Sequence, residues 1–326
     1  IFQMADGLDR NDGLVGASKA FAMMGNYQQA MAVVEDAIED AEYVRFPLLS
    51  TQLAEVKRGI GQSSQALAIL EAVVSGLADP PVRALVQYGS LLKLVGEKQA
   101  ANQILDQAVQ RYNDGLVFSS EDVAMVALAS WLMDSFHDAN SLFNEATRAN
   151  PNNLEAHVLW GDLFLEKYNA SDAERSYQEA LDINSRYTPA LVGIARVVGD
   201  ERALQRALAI NPNSVAALET YGQLLLMNSR NDTAEGYFTR VLALNPESIK
   251  TLSVLAAQAA LNERTDEYQQ YLAQVEAFSP NNPQFLGDVA DAHGNNYLFE
   301  EAVEYARAAI EADPQYWQGY TLLGSN

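Results

Sequence analysis

The chain has no cysteine and only three histidines, and its positive charge is sparse: 21 Lys and Arg stand against 43 Asp and Glu, a net charge of −22 over 326 residues. Without cysteine there is no disulfide, no iron–sulfur cluster, no thiolate zinc site and no cysteine nucleophile. Such an excess of acid repels a phosphate backbone instead of neutralising it, which excludes nucleic acid as a partner. No apolar run approaches the roughly 20 residues of a membrane-spanning helix, so no membrane insertion is expected of this segment. Nor does a charged start followed by an apolar run mark a signal peptide. Because Ile1 opens the chain and the apolar pattern is still running at Leu322-Leu323-Gly324, it is expected to be an excerpt of a longer protein.

Chemistry-bearing motifs are equally scarce. Gly59-Ile60-Gly61 lacks both the third glycine and the preceding strand of a dinucleotide fingerprint, and no Gly-Lys-Ser or Gly-Lys-Thr ends a phosphate loop. His137, His157 and His293 are isolated, with no second ligand at the four-residue spacing of a helical zinc motif. The acidic run Glu35, Asp36, Glu39, Asp40 and Glu42 lacks a glycine-containing calcium loop and reads as a solvated helix face. No nucleophile elbow surrounds a serine. Asn169-Ala170-Ser171 and Asn231-Asp232-Thr233 match the glycosylation acceptor pattern, but turns favour asparagine on their own account. No enzyme, cofactor or metal site is expected.

What is present is a period. Hydrophobic residues make up 48% of the chain, enough for a core, and prolines 212, 246, 280 and 314 stand 34 residues apart, three of them after Asn or Asp. Between them, apolar and small residues such as Trp160, Gly161, Phe164, Ala173, Tyr177 and Ala180 recur at helical spacing, giving two amphipathic helices per unit. The residue before each proline is pushed out of the α region, so Asn-Pro ends one unit and starts the next.

This pattern resembles the tetratricopeptide repeat, a 34-residue helix–turn–helix unit. Trp160-Gly161, Tyr88-Gly89, Tyr221-Gly222 and Leu323-Gly324 stand at its aromatic- or Leu-Gly pair. Ala30, Ala66, Ala101, Ala139, Ala173, Ala234 and Ala302 stand at the first alanine of its second helix. The resemblance implies an all-α, right-handed superhelical solenoid of antiparallel helix pairs over residues 1–326. Repeats are expected to start near Asn11, Pro47, Val82, Ser120, Leu154, Thr188, Val215, Ile249 and Pro283, with a partial tenth from Trp317. Pro212 follows Ser185 by only 27 residues, so the repeat from Thr188 is shortened and a local change of curvature is expected there.

In this family, positions two, five, nine and twelve of each repeat line the concave face. Carried over residue by residue, they give a groove of Val86, Ser90, Lys93, Ala124, Leu128, Trp131, Val158, Asp162, Leu165, Val192 and Arg196. Its later part is polar, with Glu219, Gln223, Lys250, Ser253, Gln284, Asp288 and Asp291 on or beside the same face. Trp131 with Leu128 reads either as core between repeats, the commoner use of an aromatic at helical spacing, or as an anchor for a partner segment. His157 and His293 fall at core-facing positions and read as buried, hydrogen-bonded structural groups. The asparagine and basic set with which one subgroup of the family grips chaperone tails does not occur at the matching positions.

The expected function is therefore a non-enzymatic scaffold that binds a protein or peptide partner, basic or neutral, in its concave groove. One alternative is a substrate-presenting or localising arm of a larger enzyme or envelope or secretion protein that continues after residue 326; another is self-association through the solenoid ends. Zero cysteine, with 15 Arg against 6 Lys, leans towards a bacterial and exported protein.

Overall fold

The computed structural model describes residues 7–38 and 42–325. The middle of the acidic run, residues 39–41, lies outside them. Nineteen α-helices and no strand occur among the described residues, and consecutive helices pair as antiparallel hairpins. In chain order they are α1 (Gly7–Met23) with α2 (Tyr27–Glu35), α3 (Pro47–Gly59) with α4 (Ser63–Gly76), α5 (Val82–Leu94) with α6 (Lys98–Asn113), α7 (Ser120–Leu132) with α8 (Phe136–Ala149), and α9 (Leu154–Glu166) with α10 (Ala170–Ile183). They continue with α11 (Thr188–Val198) and α12 (Glu201–Ile210), α13 (Val215–Met227) and α14 (Asn231–Leu244), α15 (Ile249–Leu261) and α16 (Thr265–Glu276), α17 (Pro283–Asn295) and α18 (Phe299–Ala312), and finally α19 (Trp317–Ser325). The odd-numbered helices line the inside of the superhelix and the even-numbered ones its outside. The pair α11 and α12 has 11 and 10 residues, where the preceding pair has 13 and 14.

The Asn-Pro punctuation works through two local devices. Asn211 and Asn245 leave the helix in extended conformation, and their Oδ1 atoms accept from the backbone N–H of Asn213 and Glu247, closing a turn across the proline. Two residues after each proline, Ser214, Ser248 and Asn282 then cap the next helix by accepting from Ala217, Thr251 and Phe285 N–H groups. Stop, turn and start are thus encoded in about four residues.

Inside a hairpin the glycine and alanine landmarks set the helix spacing. The seven alanines named above are fully buried. A Cβ on Gly161 would lie 2.5 Å from the Tyr177 ring, and one on Gly222 would lie 2.6 Å from Phe238. Each ring occupies the space that the glycine leaves open. Tyr177 is shared with the next pair, because a Cβ on Gly193 would meet the same ring at 2.5 Å. One aromatic side chain therefore joins α9, α10 and α11, with no room left for a methyl group at either glycine.

The superhelix winds far enough to meet itself. Tyr27 Oη donates to Asn213 O at 3.0 Å, Asn213 Nδ2 to Gly25 O at 3.1 Å, and Ser63 N to Glu247 Oε2 at 3.0 Å. Ser279 Oγ donates to Leu94 O. The partners in these contacts lie 184 to 188 residues apart. Further along, Lys98 pairs with Asp313 at 2.9 Å and donates to Ala312 O at 3.2 Å, the carbonyl end of α18. Turns between the helices of the first three pairs thus rest on the loops that open α13, α15 and α17. This seam narrows the groove into a lumen.

Candidate functional site

The groove residues fall into two sets by their depth. Val86, Ala124, Val158 and Val192, each the fifth residue of its inner helix, are 0 to 8% exposed and pack against neighbouring helices. In so tight a superhelix adjacent inner helices close over that position, although Val158 still forms part of one cavity wall. The ninth and twelfth positions face the lumen. Ser90, Lys93, Leu128, Trp131, Asp162 and Leu165 are partly buried, and Arg196 is exposed.

The structure brings Ser90, Lys93, Leu128 and Trp131 into the wall of one cavity of about 440 Å³. Arg58, Gln284, Tyr316 and Trp317 complete it, so the second superhelical turn supplies part of the wall. Trp131 packs on the core and also reaches the lumen edge. Its ring packs on the core formed by α5 to α9, while its indole N–H donates to Glu166 Oε2 at 2.8 Å at the lumen edge. Lys167 holds the other oxygen of Glu166 at 2.9 Å, and the Lys93 ammonium donates to Leu132 O. Asp162 and Arg196 lie elsewhere and bind each other at 2.6 Å, with Tyr177 Oη donating to the same carboxylate oxygen at 2.8 Å. Leu165 and Val192 pack in the cores around α9 to α13.

A second cavity of about 360 Å³ lies nearer the N-terminal end, between Lys19, Tyr27, Gln52, Glu55, Val158 and Tyr187. Beside it Arg83 forms a two-pronged pair with Glu155 and reaches Glu55 at 3.6 Å. Burial works against the charged form of Glu155, but the Arg83 guanidinium overcomes it and holds the carboxyl below the usual range. In the later part of the lumen the balance is reversed. Burial pushes Asp288 up to about 6, against the Ser253 hydroxyl that donates to it at 2.6 Å and the Lys250 ammonium. Burial also lowers Lys250, with Glu219 opposing.

The histidines are structural in placement. His157 is buried and its Nε2 donates to Pro151 O at 2.9 Å, and buried His293 donates from Nδ1 to Val289 O at 2.8 Å. His137 is exposed. Among the described residues no three His, Asp or Glu side chains converge in a way that could hold a metal, and no helix is long and apolar enough to cross a membrane.

Arg58 is a further interior residue, on the wall of the cavity that Trp131 lines. It is the twelfth residue of α3, as Lys93 is of α5 and Trp131 of α7, and that shared phase was the available signal. Tyr316 and Trp317 had no comparable signal, because they reach the lumen only through the second turn of the superhelix.

Helix hairpins stacked into a superhelix around a side-chain-lined lumen define a helical-repeat solenoid. Tetratricopeptide-repeat family models match residues 131–187 and 203–236, so these parts of the chain are tetratricopeptide repeats. Among solved structures it is similar to a chain of the APC/C hetero-tetramer Cut9–Hcn1, with a TM-score of 0.57 and 16% identity over 92% of this chain and 59% of that one. It therefore spans about 59% of that relative's length. Weaker likenesses, with TM-scores of 0.42 and 0.43, are to Pseudomonas aeruginosa PilF at 16% identity, over 64% of this chain and 97% of that one, and to yeast Tom70 at 15%, over 98% and 82%. No curated protein matches the sequence. Repeats of this family generally mediate protein–protein interaction and are typically non-catalytic.

Proposed function

We propose that the chain is one continuous, non-enzymatic scaffold that holds a segment of a partner protein in its lumen, seated on Leu128 and Trp131. The observation that carries this reading is the convergence of Ser90, Lys93, Leu128 and Trp131, from two consecutive repeats, on one 440 Å³ cavity. A cavity of that size, part apolar and part polar, suits a few side chains of an inserted segment. Large aromatic anchors carry much of the energy of such contacts.

The test is selection from a displayed random-peptide library with the purified chain. Peptides selected by the native chain should bind at least tenfold more weakly to Trp131→Ala and to Leu128→Ala. Circular dichroism should show unchanged helicity in both variants. Selected peptides that bind all three chains equally would place the binding surface outside the lumen and overturn the reading.

A further inference from the structure

The lumen contains a guanidinium, that of Arg58, that forms no ion pair among the described residues. Arg58 borders three interior cavities, of about 580, 440 and 490 Å³, and so stands where they meet. Its Nη1 donates to Gln87 Oε1 at 3.1 Å, and among the described residues it forms no ion pair. A guanidinium has five N–H donors, so most of its capacity is unused.

Nearby cations are differently placed. Arg83 is held by Glu155 and Glu55, Arg196 by Asp162, and Lys93 by a backbone carbonyl. Of the carboxylates that line the same cavities, Glu166 is engaged by Trp131 and Lys167, Glu219 by Ser248 and Asp313 by Lys98, while Glu55 stands 3.6 Å from Arg83 and, among the described residues, Glu97 and Asp134 form no ion pair. Burial lowers the Arg58 guanidinium below the ordinary arginine value, and Glu55 offsets this in part. An arginine nevertheless remains charged at neutral pH. Holding a shielded charge with so little compensation costs stability, and a carboxylate from outside would recover that cost through a two-pronged pair.

We propose that Arg58 selects an acidic side chain, an internal Asp or Glu, in the segment that occupies the lumen, with a neighbouring apolar side chain of that segment resting on Leu128 and Trp131. The carboxylate approaches Arg58 from the cavity that it shares with Lys93 and Trp131. The protein as a whole carries −22, so the outer surface repels acidic chains generally. Selectivity then falls on a segment that presents one or two acids in an apolar context, not on a long acidic run. This inference rests on the lumen being the binding surface.

The same display selection tests it, because fusion to the display scaffold leaves no free peptide C-terminus. Enriched peptides should carry Asp or Glu at one fixed position beside an apolar residue. A synthetic, C-terminally amidated copy should lose at least tenfold in affinity when that acid becomes Gln or Asn, and the same amount on Arg58→Gln. The two losses should not add, which is the mark of a direct pair. Arg148→Gln, at an exposed position on α8, should change nothing.

Arg58→Gln should also leave the thermal midpoint unchanged or raise it, since a charge with no ion pair is removed. A lowered midpoint would make Arg58 a structural residue and overturn the proposal. Peptides that depend on Trp131 but show no acidic position, or that require a free C-terminal carboxylate, would overturn it while leaving the lumen reading intact. Binding independent of Trp131 would remove both.

Discussion

The turns of the first three hairpins and those of the later ones share a backbone shape but not a sequence. Each hairpin turn holds one residue at positive φ. In the first three it is Gly25, Gly61 or Gly96, and later it is Asp134, Tyr168, Ser229, Glu263 or Tyr297, with Gly199 in the short pair. Five non-glycine residues adopt φ between 56 and 62°, so the turn itself does not demand glycine. What lies above the first two turns does. A Cβ on Gly25 would stand 2.3 Å from Asn211 Oδ1, and one on Gly61 would stand 2.6 Å from Asn245 Oδ1 and 2.7 Å from Pro246 Cδ. The later turns are less covered: Tyr168 and Tyr297 are 81 and 82% exposed, although the Tyr168 ring stands edge-on to Trp317 at 6.4 Å. Glycine at positions 25 and 61 thus reports stacking between superhelical turns, whereas a Cβ on Gly96 would meet only Pro280 O, at 3.7 Å.

The strongest way to break this comparison is Gly61→Val beside Gly115→Val. Both glycines have φ near 70°, but a Cβ on Gly115 would meet nothing within 4 Å. The two variants share the backbone strain, so Gly61→Val should cost about 1–3 kcal/mol more, the overpacking term alone. Chemical denaturation checks the difference, and small-angle scattering should show a larger radius of gyration only for Gly61→Val. Equal losses with equal radii would mean that the seam contributes nothing.

The interior carboxylates sharpen the contrast next. Asp288, raised to about 6, binds its proton more tightly folded than unfolded, so it lowers stability as pH rises through about 4 to 6. Asp288→Asn should therefore stabilise the chain by about 1–2 kcal/mol at pH 7, and the gain should vanish below pH 4. Glu155 is shifted the opposite way, so its contribution is present above the usual carboxylate range and is lost as pH falls through its lowered value. Glu155→Gln should cost about 1–2 kcal/mol at pH 7, discounted for its partial exposure, and less in acid. Thermal unfolding at pH 4 and pH 7 distinguishes the two, and parallel shifts would refute the assignment.

Smaller effects follow at the seam's rim. Lys98→Ala removes a half-exposed pair with Asp313 and should cost under about 1 kcal/mol, with the difference from the native chain shrinking in high salt. Ser229→Gly, on a turn where nothing stacks, should change stability by no more than about 0.5 kcal/mol. A large loss there would show that the later turns are constrained after all.

The sequence made the fold class legible because its signals are local. Asn-Pro stops a helix, Ser214 or Ser248 starts another, and Gly161 with Tyr177 sets the distance between them, all within one repeat. The site was legible in part. Ser90, Lys93, Leu128 and Trp131 do meet in one cavity, whereas Val86 and Ala124 are fully packed between helices. The difference depends on superhelical tightness, which accumulates from small rotations between repeats and is written in no single motif. Arg58 shared the phase of Lys93 and Trp131. That it forms no ion pair depends on where the fold places the acids around it, which no local motif records.

The seam also orders events in time. Nearly all other contacts join neighbouring helices, and such local contacts form fast. The seam partners are separated by 184 residues or more, so the chain must close a very long loop to bring them together. During synthesis Gly25 emerges long before Asn211 exists to cover it. The hairpins are thus expected to stack first as an open coil, and the lumen to be sealed last.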